Sequence, residues 1–145
     1  GGAIYLITLD DCGCVTTRYC SPPTGNSATG AGAIFDVAGT GSITQDTLTL
    51  TTNGLPTGQF ALFFMGHGTQ PVTVGNGILC PGAPLLRILP ALATGATGSV
   101  TRDFHPSSLA LQPGDTRVFQ CWYRDPAAGG SMFNFSDAVE VRFCR

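Results

Sequence analysis

The chain has no lysine, and Glu140 is its only glutamate. Charged side chains make up 11% of the 145 residues, well below the usual quarter. Binding nucleic acid requires clustered cations to neutralise phosphates. Seven scattered arginines in a chain of net charge −2 form no such cluster, so no nucleic-acid partner is expected. Apolar runs fall far short of the roughly 18–20 residues that span a bilayer, so no membrane insertion is expected either. No basic n-region opens the chain, so a signal peptide, if one existed, is expected to be gone already. Strong helix formers other than Ala and Leu are scarce, which argues against a helical fold.

Glycine, at 20 residues, and threonine, at 18, are abundant, with nine phenylalanines. A Gly/Thr-rich chain can be disordered, but 43% hydrophobic content is too much for that. Thr, Val and Phe favour pleated, half-buried surfaces. The length suits one domain with a real core. The composition is therefore that of an all-β domain.

The apolar run Phe60-Ala61-Leu62-Phe63-Phe64-Met65 lies between Gly58-Gln59 and Gly66. Six residues is strand length and too short for a stable helix. A strand apolar on both faces has to be covered on both sides, so this one is expected in the middle of a buried sheet. Thr47 to Thr51 alternates, with Leu48 and Leu50 inward. Further short strands or extended pieces are expected at 15–19, 33–38, 71–74, 78–80, 85–89, 98–104, 116–124 and 138–143, and Leu109 to Leu111 leads into the turn at 112–115. The segment 116–124 is read as the longest of these. It puts Phe119, Cys121 and Tyr123 on one face, with Val118, Gln120 and Trp122 on the other. Val139, Val141 and Phe143 point in; Glu140 and Arg142 point out. Asn53-Gly54, Gly75-Asn76-Gly77 and Pro113-Gly114-Asp115 supply turns, and Pro90 is expected to stop the strand before it. Some nine or ten short strands at this spacing predict an antiparallel β-sandwich, Ig-like or jelly-roll-like, with an extra N-terminal strand or arm.

That arm is residues 1–9, with Ile4 and Leu6 on one face and Tyr5, Ile7 and Leu9 on the other. Both faces are apolar, so it is not expected to be a solvated edge. Ser21-Pro22-Pro23-Thr24-Gly25 is the clearest break in the chain. It divides an arm with a Cys-rich turn, 1–20, from a sandwich body, 21–145. The arm is either a first strand in its own sandwich or a strand added to a neighbour's sheet.

Cys12, Cys14, Cys20, Cys80, Cys121 and Cys144 are even in number, which predicts disulfides in an oxidising compartment. Cys12-Gly13-Cys14 is not a zinc-knuckle spacing, so no metal is expected there. Spacing leaves the connectivity open. The preferred pairing joins Cys80 to Cys121, and Cys20 or a member of the Cys12/Cys14 pair to Cys144.

Several motifs occur in a recognisable order: Tyr19-Cys20, Leu55-Pro56-x-x-Gln59-Phe60, Gly77-Ile78-Leu79-Cys80, Pro113-Gly114-Asp115-Thr116, Phe119 to Asp125, and Asn134 to Val139. Over roughly 19–144 the chain resembles an uncharacterised β-sandwich module found near the C-terminal end of large secreted proteins of planctomycetes and related bacteria. The resemblance implies export and a surface role, with no assigned chemistry. Residues 1–18 fall outside it; Gly2 to Leu6 is loosely similar to a closing strand of an integrin-type propeller repeat.

Candidate chemistry is sparse. His67 and His105 sit in turns, and no G-x-S-x-G elbow accompanies them. Asp10, Asp11, Asp125 and Asp137 lack a Ca²⁺-loop spacing and read as turn and capping residues. Arg124-Asp125 reads as an exposed ion pair or turn bond. Glu140 stands alone on a solvated strand face, which does not suit paired-acid glycoside hydrolysis. Trp122 could stack on a sugar but is read as core beside Val118, and it faces away from Tyr123. Asn134-Phe135-Ser136 matches a glycosylation acceptor. No catalytic residue, cofactor or metal ligand is assigned, and the chain is not read as an enzyme. The expected function is an extracellular or cell-surface structural subunit that binds copies of itself. Ile4, Tyr5, Leu6, Ile7 and Leu9 then form a head-to-tail interface by strand addition, as in a filament or pilus-like assembly. The alternative is a secreted adhesin or carbohydrate-binding module that recognises surface glycans.

Overall fold

A computed structural model describes residues 14–145. The arm residues Ile4, Tyr5, Leu6, Ile7 and Leu9, and also Asp10, Asp11 and Cys12, lie outside the described residues. Ten strands follow in chain order: β1 (Val15–Tyr19), β2 (Ile34–Gly39), β3 (Leu48–Asn53), β4 (Phe60–Gly66), β5 (Thr69–Val74), β6 (Gly77–Pro81), β7 (Leu86–Ala93), β8 (Val100–Phe104), β9 (Thr116–Arg124) and β10 (Phe133–Arg142). The fold is a disulfide-stapled antiparallel β-sandwich. One sheet has five strands in the order β1-β10-β9-β4-β7, and a second has three, β2-β3-β8. The β5–β6 hairpin is separate from both sheets and packs against β10 and β9.

Alternation builds the core between the two sheets. Phe35, Leu48 and Leu50 come from the small sheet; Phe63, Met65, Phe119, Cys121, Tyr123 and Val141 come from the large one. Phe35 meets Phe63 edge-on at 5.8 Å between ring centroids, and Phe104 meets Phe119 at 5.3 Å. Each such side chain stabilises the fold by about 1.5–3 kcal/mol through burial alone.

The run at 60–65 is β4, but it is not the middle strand. β9 holds that place, flanked by β10 and β4. The polar Gln120 hides this role in the sequence. It is fully buried, and its amide is satisfied by main chain: Oε1 accepts from Cys80 N at 3.1 Å, and Nε2 donates to the carbonyls of Ser136 at 2.6 Å and Ile78 at 2.9 Å. A polar residue so paired can lie in a core without an unsatisfied group.

Two other expectations change. β7 continues through Pro90 to Ala93, because an edge strand has a side with no ladder partner and so tolerates a missing N–H. The longest strand is β10, at 10 residues against 9 for β9. It starts at Phe133 and stays paired across a bulge between Phe135 and Ala138. Between β8 and β9 a 3-10 turn covers Pro106–Leu109, with Ala110 left-handed at φ 54°.

Disulfides join Cys14 to Cys144 and Cys20 to Cys80, with Cα–Cα distances of 4.9 and 6.3 Å. The pairing of Cys80 with Cys121 is therefore corrected. Cys121 points into the inter-sheet core between Phe119 and Tyr123, whereas Cys80 lies over the opposite face of β9, beside Gln120. One β-sheet separates the two sulfurs. Cys121 is a buried free thiol, pushed up to about 12 by burial.

The described part of the N-terminal segment belongs to the body, since β1 pairs with β10 from Val15↔Arg142 to Tyr19↔Ala138. Arg18 on β1 closes the adjoining seam between the sheets. Its guanidinium donates to Asp137 and Asp36, both at 2.6 Å, and to the Phe35 carbonyl at 2.7 Å. The Asp137 carboxylate also accepts from Phe35 N at 2.8 Å.

Gln120→Ala leaves two main-chain carbonyls and one N–H without their partner. It should lower the urea-unfolding free energy by about 1–3 kcal/mol for the buried groups left unpaired. Cys121 should escape thiol reagents in the native protein. Cys121→Ala and wild type should then titrate the same number of thiols when folded, and differ by one only in denaturant.

Candidate functional site

The outer face of the five-stranded sheet is apolar, and the β5–β6 hairpin covers only part of it. Inward residues Ala61, Phe63 and Met65 of β4 force Leu62 and Phe64 outward. In register with them lie Trp122 of β9, opposite Leu62, and Arg87 of β7, opposite Phe64. Phe135 of β10 pairs with Trp122 on the other side. With Leu79 of β6 and Leu85 just before β7, these residues line an open cleft of about 530 Å³. Its floor is aromatic: Phe64 and Phe135 stand edge-on at 5.9 Å, Phe133 and Phe135 at 6.1 Å, and Trp122 lies tilted on Phe133 at 6.0 Å.

One wall is the sheet edge β7. Among the described residues its outer side has no strand partner. Leu85 and Leu86 are each 46% exposed and Leu89 62%, although natural edges are usually blunted by charge. Among the described residues Arg87 is the only charged one in the cleft lining. The opposite edge, β1, carries Thr16, Thr17 and Arg18 and is far more polar.

Trp122 is thus not a core residue. It shares a sheet face with Val118, but Val118 lies buried under the hairpin cluster while Trp122 is half-buried in the cleft. Tyr123 faces the other way. It is fully buried, its hydroxyl accepts from Asn26 Nδ2 at 2.9 Å, and burial pushes its phenol up to about 12. The sequence could have located the cleft only through Leu62, Phe64 and Trp122 read together as one outward apolar face. Arg87, Leu79 and Leu85 carry no local signal.

The remaining candidate residues stay apart. His67 is exposed in the turn after β4. His105 is exposed, and its Nδ1 lies 2.6 Å from the backbone oxygen of Asp46. Ser107 donates to the Asp46 carboxylate rather than to His105, and these bonds hold the Asp46 carboxyl below its ordinary value. No serine–histidine pair results from this cluster. Asp125 is buried and its carboxylate accepts from the backbone and hydroxyl of Ser27, while its carbonyl accepts a turn bond from Ala128 N at 3.2 Å; Arg124 is exposed, so of the two expected roles the turn bond forms and the carboxylate anchors a loop instead of pairing with Arg124. Glu140 is half-exposed on β10. Asn134 of the glycosylation triplet is 1% exposed; its amide donates to the Gly25 carbonyl at 3.1 Å and accepts from Phe135 N at 2.7 Å. Among the described residues no three His, Cys, Asp or Glu side chains converge on one point.

Asp137 carries the one strongly placed charge. Burial raises its carboxyl pKa, and the bonds from Phe35 N and Arg18 only partly offset that. A raised folded pKa means the folded state holds a proton that the unfolded chain has released. The contribution is therefore fully present below the unfolded value of 3.8 and is lost as pH rises through the folded value. The urea midpoint of wild type, measured relative to Asp137→Asn, should fall across that window. A difference moving in favour of wild type would mean that the ion pair with Arg18 outweighs desolvation.

Compared with known proteins, the chain matches no protein-family model, no curated protein and no solved structure.

Proposed function

We propose that this protein is an extracellular structural subunit, joined head to tail when the N-terminal arm of one copy adds a strand to edge β7 of the next. The observation that carries this reading is the open, leucine-rich edge of the large sheet, with an apolar cleft beside it. Strand addition satisfies the unpaired main chain of such an edge and places alternate side chains against its flanks. The sequence contains one segment of matching chemistry, Ala3 to Leu9.

Reach favours a second copy. A strand added outside β7 lies five inter-strand spacings from β1, or about 24 Å. Six residues from Leu9 to Val15 extend at most about 21 Å. A full Ile4–Leu9 ladder on the molecule's own β7 is therefore out of range, whereas a neighbour's edge carries no such limit. The resulting contact joins two different surfaces and does not close on itself. Burying the arm offers about 10–15 kcal/mol gross. Ordering its backbone costs about 1–2 kcal/mol per residue, which is of the same size. Net affinity then depends on ladder bonds and on side chains that find a preformed pocket.

The two disulfides suit an oxidising compartment. The extracellular location is part of the proposal, and the likeness to secreted β-sandwich modules agrees with it. A second reading, a secreted adhesin or carbohydrate-binding module, is favoured by one feature: Trp122 stands in an open cleft. Sugar recognition also needs several polar groups, and among the described residues Arg87 is the only charged side chain lining this cleft.

Light scattering and electron microscopy of the intact chain should show oligomers or filaments that grow with concentration. A variant lacking residues 1–10 should stay monomeric with an unchanged β-sheet circular dichroism spectrum. An intact chain that is monomeric at every concentration overturns the assembly. A glycan-array signal lost in a folded Trp122→Ala protein would establish the second reading instead.

A further inference from the structure

The arm and the cleft match in more detail than strand addition requires. Of the two faces of the arm, Ile4-Leu6-Thr8 ends on a hydroxyl residue, while Tyr5-Ile7-Leu9 is three large apolar side chains in a row. The outward residues of β7 repeat at the same two-residue spacing. Phe63 and Met65 of β4 face the core, and opposite them lie Ile88 and Leu86; Arg87, opposite Phe64, therefore faces outward, and Leu85 joins it on the cleft side. A strand laid outside β7 keeps this alternation, so every second side chain of it projects over the cleft. Within the cleft, the aromatic floor of Phe64, Phe135 and Trp122 is apolar, and Arg87 is the single cationic donor among the described residues. Tyrosine offers an apolar ring with one polar tip. Tyr5 is the only arm residue with both.

We infer that the cleft is the seat for the Tyr5, Ile7 and Leu9 side chains of a second copy, with the Tyr5 hydroxyl directed to Arg87. This rests on the strand-addition reading and adds the surface that gives it side-chain specificity. The pairing explains why Leu62, Leu79 and Trp122 stay half-buried and Leu85 46% exposed beside the hairpin: apolar surface left open in the subunit is closed in the assembly. The short reach from Val15 assigns the occupant to a neighbour and not to the same molecule.

Trp122 is the only tryptophan, so its fluorescence reports on this cleft alone. The probe is acrylamide quenching of the intact chain over a dilution series, read together with light scattering. As the protein assembles, the quenching constant should fall several-fold and the emission maximum should move to shorter wavelength. Ile7→Asp should prevent assembly and keep Trp122 quenchable, whereas Thr8→Asp, one residue away on the other arm face, should assemble with Trp122 protected. Assembly with unchanged quenching overturns the cleft as the seat but leaves strand addition standing. So does equal loss of assembly in both Asp variants with no change at Trp122. A chain that never assembles overturns the strand-addition reading itself.

Discussion

The structure depends on one constraint: β9 runs through the middle of a sheet that is apolar on both faces. Such a sheet cannot leave either face to water. Phe119, Cys121 and Tyr123 are covered by the small sheet through Phe35, Leu48 and Leu50. Val118 and Gln120 need a second cover, and the β5–β6 hairpin provides it. That hairpin has no ladder to either sheet. It is held by packing, by the Cys20–Cys80 bridge and by the Gln120 amide, which binds Ile78 and Cys80 through their main chain. A buried amide with every partner in place is directional in a way that a leucine is not, so it specifies where the hairpin sits.

That second cover is incomplete. The hairpin lies over β10 and β9, while Leu62 of β4 stays half-buried and Arg87 of β7 exposed. Cover and cleft follow from the same need, met over only part of the sheet. At the far edge the molecule is closed differently. Arg18 ties β1 to β2 and β10 through Asp36, Asp137 and the Phe35 carbonyl, and Cys14–Cys144 pins the start of β1 to the end of the chain. Among the described residues, one edge of the large sheet is polar and anchored, the other apolar and without a strand partner.

Much of the local structure was legible because period-two alternation is a local property. Leu48 and Leu50, or Phe119, Cys121 and Tyr123, can be assigned to one face without knowing what covers it. Turn residues marked most strand ends for the same reason. The errors arose where a partner was needed. Pro90 reads as a strand terminator until β7 is known to be an edge. The last strand reads as starting at Ala138 until β10 is seen to pair from Phe133 across a bulge. Cys121 reads as a disulfide residue until the sheet is found to stand between it and Cys80.

The sequence by itself determined an all-β chain with disulfides and few charges, and the inward and outward sides of its strands, since composition and alternation act residue by residue. Only the tertiary structure decided which strand is central, which cysteines meet, and that Trp122 lines a cleft instead of filling a core. Those outcomes depend on which segments lie side by side, and strand order is set by packing between residues far apart in the chain, a quantity that no short window of sequence contains.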